Sequence, residues 1–238
     1  MATGENGAAG ATLIVGGTRG IGRRLAEQYA QRGRRVVITG RDRDRTEAIA
    51  TEIGGQTAGV ALDLTEPTSI ARALEPLGTV DHVVLAAIER DSNSVREYEV
   101  ARAIKLATLK LVGYTEVLHC LCSRMHDDTS VLLFGGLAKD RPYPGSTTVT
   151  SVNGAVSTMV RTLATELAPV RVNALHPGVV GDSPAWSGAT EFLSTVKDRT
   201  PTGRLVTMDE VTNAALFLLE NTAVNGVNLP VDGGWVMA

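Results

Sequence analysis

Short apolar runs rich in β-branched residues recur along the chain, separated by stretches with helical character. They read "ATLIVGG", "RRVVITG", "TAGVALDL", "DHVVLAA", "SVLLFGG", "VRVNALHP" and "VNGVNLPV". Runs of this length bounded by turn residues fit strands buried on both faces of a sheet. Between them, Ile21, Leu25 and Tyr29 fall at i, i+4 and i+8, one face of a helix lying on the sheet. Helices are also predicted over 43–53, 66–76, 95–125, 147–168, 185–197 and 208–220. Parallel strands need such crossovers, and the crossovers are right-handed, so the pattern predicts one doubly wound α/β domain spanning residues 1–238.

With 238 residues, 43% of them apolar, the chain can bury a sizeable core. A formal net charge of −3, with both signs scattered, gives no footprint for nucleic acid or an anionic membrane. No apolar run approaches the ~18 residues of a membrane span, and "MATGENGAAGA" lacks the features of a signal peptide. The expectation is a soluble cytoplasmic protein with a flexible stretch over residues 1–10. Cys120 and Cys122 are expected to be buried, reduced thiols.

The segment "LIVGGTRGIGRRLAEQYA" carries the first functional signal. It places Gly16, Gly20 and Gly22 between the first strand and the first helix, where glycines permit a tight turn, close approach of a pyrophosphate and close helix packing. The helix N-terminus would face the phosphates. The second strand ends in "ITGRDRDR", with Arg41 where an NAD site would hold an acidic residue, and Arg19 lies inside the glycine loop. Two guanidiniums suit a 2′-phosphate, so NADP(H) is expected rather than NAD(H). Asp63, closing the third strand, could accept from the adenine amino group.

With "VGGTRGIG", "ALDLT", "PVRVNALHPG" and "NGVNLPVDGG" in this order, the chain resembles the classical short-chain dehydrogenase/reductase family over nearly its whole length. The resemblance implies a seven-stranded Rossmann-type sheet and a homodimer or homotetramer built on the two long middle helices. It also implies cofactor contacts at Gly16, Thr18, Arg19, Gly20, Ile21, Gly22, Arg41, Asp63, Leu64, Ala86, Ala87, Asn153 and Val180, with the nicotinamide near Pro177 and Gly178.

Alongside the resemblance stand departures. In the family, a serine after the fifth strand and a Tyr-x-x-x-Lys pair on the following helix carry the proton chemistry. Here those positions fall on Gly136, Val149 and Asn153, none of which is an acid or a base. Residues 147–168 hold no tyrosine and no lysine in any register. The family's Asn-Asn-Ala-Gly run is "LAAI", Leu85 to Ile88, its helix asparagine aligns with Lys105, and the threonine after the Pro-Gly turn aligns with Asp182. Candidate substitutes for the proton source are Lys105, if burial lowers its pKa, Asp182, which competes with Ser183 for a capping role, and Tyr143 in the loop before the helix. Asn153 could still hydrogen bond the ribose, while His176 reads as a satisfied structural histidine. Trp186 and Phe192 lie in the segment that forms the family's lid, which suits an apolar or aromatic small-molecule substrate or plain core packing.

Three functions remain open on the sequence. One is an atypical NADPH-dependent reductase of a carbonyl, enone or imine. The others are a non-redox cyclase, isomerase or dehydratase, and an inactive NADP(H)-binding regulator.

Overall fold

The computed structural model describes residues 10–237. The flexible N-terminal stretch expected from the sequence lies outside it, except for Gly10, which is buried and donates its N–H to Asp81. The strands β1 (Ala11–Val15), β2 (Val36–Gly40), β3 (Thr57–Ala61), β4 (Val80–Leu85), β5 (Met125–Phe134), β6 (Arg171–Pro177) and β7 (Asn228–Val231) form one parallel sheet. Its order is β3-β2-β1-β4-β5-β6-β7. Successive strand residues point to opposite faces. Leu13, Val83 and Leu133 therefore enter one core, and Ile14, Val84 and Leu132 the other.

Helices α1 (Gly20–Gln31), α2 (Arg43–Ile53) and α8 (Met208–Glu220) cover the second core. The first core is covered by α3 (Ile70–Leu74), α5 (Tyr114–Leu121) and α6 (Thr147–Glu166); α4 (Val100–Ala107) packs against α6, and α7 (Thr190–Arg199) lies between β6 and α8 in the chain. Leu25 and Tyr29 are buried and Ile21 is half-buried, on the one face predicted for them. Arg171, at the start of β6, buries its guanidinium against the carbonyls of Leu218 and Leu219 at the end of α8, a cation placed at the negative end of the helix.

Several boundaries differ from expectation, each for a local reason. The helix expected to start at residue 95 starts at Val100, because buried Asn93 accepts from the Glu99 N–H and donates to the Glu99 carbonyl, closing 93–99 as a loop. Between α4 and α5 the chain makes a π-helical turn, Thr108–Gly113. The segment 185–197 divides at Gly188, whose φ of 82° stops a helix, into a short 3₁₀ turn and α7. The thiols are free, but Cys122 is exposed and Cys120 only half-buried, because α5 reaches the surface at its last turn. Among the described residues, no helix is long and apolar enough to cross a membrane.

Candidate functional site

β1 lies between β2 and β4, so the chain leaves it in opposite directions on its two sides, and a crevice opens beyond the C-terminal strand ends at that point. The β1–α1 turn fills its mouth. Gly16 has φ 89°, and a Cβ there would lie 2.7 Å from the Ala87 backbone. At Gly22 a Cβ would lie 2.3 Å from the Gly16 carbonyl oxygen. At Gly20, with φ 55°, it would meet nothing within 4 Å, so the loop is tight beneath and open above. No side chain caps α1 at its N-cap, Arg19, and no acidic residue occupies its first turn. Free N–H groups and a positive dipole end therefore face the open side. This cradle fits the pyrophosphate of a dinucleotide.

The remaining residues expected at a cofactor gather along the same edge. Thr18 packs on Gly40, so Arg19 and Arg41 flank one contact. Arg41 is 64% exposed and lies 4.0 Å from Glu89. Asp63 accepts from the N–H and hydroxyl of Thr65, Leu64 is buried, and Ala86 donates its N–H to Val15. At the other end, Gly178 donates to Val231, while Val180 bridges to Val206 and is buried.

The candidate proton donors are scattered. Lys105, a candidate on condition that its helix face turned toward the cofactor, lies on the exposed side of α4, the alternative reading of a surface lysine, with its ammonium 2.7 Å from Glu89. It is off the apolar stripe of the helix, and the ion pair with Glu89 holds it there. Asp182 accepts from the Met208 N–H at 2.8 Å, at the first residue of α8, while Ser183 caps the 3₁₀ turn at Pro184–Trp186. Tyr143 is 54% exposed, and its backbone exchanges hydrogen bonds with Ser146. Trp186 and Phe192 stack with ring centroids 4.9 Å apart, and the Arg90 guanidinium lies 4.1 Å over the Trp186 ring, fastening this segment to the loop after β4.

What the fold does bring together is a set around the end of β5. A Cβ on Gly136 would lie 2.8 Å from the Asn153 amide nitrogen, and one on Gly135 would lie 2.3 Å from His176 Nδ1. The Gly136 N–H donates to His176 Nδ1, so Nε2 carries the proton and donates to Asn228 Oδ1 at 2.9 Å. Burial lowers the His176 pKa, keeping the ring neutral. Beneath this turn, buried Lys110 donates to the Phe134 carbonyl and to the Tyr114 phenol, which donates in turn to the Ala87 carbonyl. Sequence reasoning passed over Lys110 and Tyr114. A signal was present: Ala103, Lys110, Tyr114, Val117 and Leu121 follow one another at spacings of seven, four, three and four, a helical stripe that is otherwise uncharged. Asn93 was also missed; it donates to Thr148 on α6 and thereby ties the loop after β4 to that helix.

Residues 15–236 match the family model described as Enoyl-(Acyl carrier protein) reductase. The 3-oxoacyl-[acyl-carrier-protein] reductase FabG of Aquifex aeolicus is 32% identical, covering 94% of this chain and 96% of its own. The 3-oxoacyl-[acyl-carrier-protein] reductase of Bos taurus is 31% identical, covering 93% and 95%. A Brucella melitensis crystal structure titled Short-chain dehydrogenase/reductase SDR:Glucose/ribitol dehydrogenase superposes with a TM-score of 0.87 at 26% identity, covering 96% of this chain and 97% of its own.

Proposed function

We propose, from the premise that this chain belongs to the short-chain dehydrogenase/reductase family, that it is an NADPH-dependent reductase of a carbonyl, enone or imine that works without a Tyr-Lys proton relay. Membership makes it an oxidoreductase of the NAD(P)-dependent type. The single observation that carries the narrower reading is the glycine cradle, tight below, open above and set at an uncapped helix end. Gly16, Gly20 and Gly22 would admit the pyrophosphate, Arg19 and Arg41 the 2′-phosphate, and Asn153 the nicotinamide ribose. The cofactor, when bound, supplies the hydride.

The chain's own residues orient and enclose. Orientation alone can contribute on the order of 10⁵ M in effective molarity, whereas losing a general acid forfeits roughly 10²- to 10⁴-fold. Reduction therefore survives the replacement of the acid, most readily with an iminium or an activated enone, which needs little protonation as hydride arrives. Trp186 and Phe192 suit an apolar or aromatic substrate. Exposed Val100, Ile104 and Val112 along α4 and the π turn suit a homodimer or homotetramer, which light scattering would weigh.

The test is a fluorescence titration with NADPH and NADH on wild type and Arg41→Ala, followed by a ketone, enone and imine panel. NADPH binding that the substitution weakens about tenfold, with NADH unchanged, supports the reading, since a charge-assisted contact contributes roughly 1.5–3 kcal/mol. Binding of neither nucleotide overturns it. The neutral trio Gly136, Val149 and Asn153 favours one other reading, a non-redox isomerase or dehydratase. Product formed with no change in cofactor absorbance would select that reading.

A further inference from the structure

Lys110 is 2% exposed, and its hydrogen-bond partners are a carbonyl and a phenol rather than a carboxylate. Its nitrogen lies 2.5 Å from the Phe134 carbonyl oxygen and 2.9 Å from the Tyr114 oxygen, and the Tyr114 hydroxyl lies 2.8 Å from the Ala87 carbonyl oxygen. Either form of the side chain can donate both bonds, since an amine has two N–H groups and an ammonium three. Hydrogen bonding therefore leaves the charge state to the surroundings. Those surroundings include the nucleotide cradle: Ala87 is the residue on which Gly16 packs, so one phenol and one peptide separate Lys110 from the glycine loop.

We propose that Lys110 is a positioning residue whose charge follows the occupant of the glycine loop, an amine in the free protein that takes up one proton from solvent when an anionic dinucleotide binds. The proposal rests on the nucleotide-binding reading above. Burial brings the Lys110 pKa down to about 7, with desolvation the cause. A pyrophosphate beyond Ala87 acts in the opposite direction, because a nearby negative charge favours the ammonium.

The neighbouring elements contribute little that competes. Tyr114 is held protonated by burial, Asp63 is engaged by Thr65, Glu66 is exposed, and His176 on β6 is neutral. On α4, Lys105 is tied to Glu89, and α6 presents the uncharged Asn153. Proton bookkeeping is simple: amine becomes ammonium at the expense of buffer, and nothing is oxidised. The charge so created lies behind the Phe134–Gly136 turn, on the edge where a substrate oxygen gaining negative charge would benefit.

Isothermal titration of the full chain with NADPH, in buffers of different ionisation enthalpy near pH 8, reads the proton directly and needs no turnover. Wild type is expected to take up a substantial fraction of a proton per site, and Lys110→Met none, with NADPH bound by both. Equal uptake in the two proteins, or none in a wild type that binds NADPH, overturns the proposal while leaving the nucleotide site standing. A wild type that binds no NADPH brings down both. Tyr114→Phe is the second variant and decides if Lys110→Met does not fold. Removing an acceptor of the ammonium should keep the uptake but move its midpoint to lower pH, and an unmoved midpoint counts against Lys110.

Discussion

At the β1–α1 turn the backbone does the shaping: positive φ at Gly16 and Gly20, and approaches at Gly16 and Gly22 that no Cβ could share. At the end of β5, by contrast, the work falls to side chains borrowed from four elements, with His176 from β6, Asn153 from α6, Lys110 from the π turn and Tyr114 from α5. Backbone requirements leave a mark in sequence, because only glycine meets them. Side-chain constellations leave a fainter one, such as the helical stripe that carries Lys110 and Tyr114. The nucleotide end should therefore break through sterics, and the β5 end through desolvation and unpaired polar groups.

The largest effect belongs to Lys110. Its folded pKa of about 7 lies below the ordinary 10.5, so the unfolded chain binds more protons across that window. The penalty is complete below about pH 7 and is relieved as pH rises toward 10.5. By linkage this amounts to about 5 kcal/mol. Urea unfolding at pH 7 and pH 9.5 should show wild type gaining on Lys110→Met at the higher pH. Parallel stabilities at the two values would show that the lysine is not desolvated and would erase the contrast between the two ends.

Next comes Gly16→Val. A left-handed φ and a Cβ set against Ala87 should cost about 3 kcal/mol and more than tenfold in NADPH affinity, measured by thermal melting and by titration. A variant that binds as wild type would mean that the loop yields and that the backbone is not the shaping element. Similar in scale, His176→Ala should lose about 3 kcal/mol by leaving the Gly136 N–H and Asn228 unpaired around a cavity. In wild type, the lowered His176 pKa means that this residue's contribution is present above about pH 6.5 and is lost as pH falls. The smallest effect, about 1 kcal/mol, is expected for Asp182→Ala, which removes the acceptor at the start of α8. Turnover that falls more than the melting temperature explains would return Asp182 to the chemistry.

The same contrast governs what could be read in advance. The strands were visible as β-branched runs, because a parallel sheet buried on both faces needs continuous apolarity, and the glycine loop was visible through its spacing. Lys105 stood out because it aligns with the family's helix asparagine, whereas Lys110 stands on the helical stripe that meets the core. Phase was the better guide, since it registers which side of a helix meets the core. The late start of α4 was hidden because the Asn93 side chain, rather than any helix-breaking residue, holds 93–99 in a loop.

The 2.8 Å between the Asn153 amide and the place where a Gly136 side chain would begin makes those two positions sterically dependent on each other. A serine introduced at 136 meets an amide that must first turn away, and a lysine introduced at 153 enters a space shaped for something shorter. Either enlargement alone costs packing. Whoever engineers this corner of the scaffold should change both positions together, because the room at one is set by the side chain at the other.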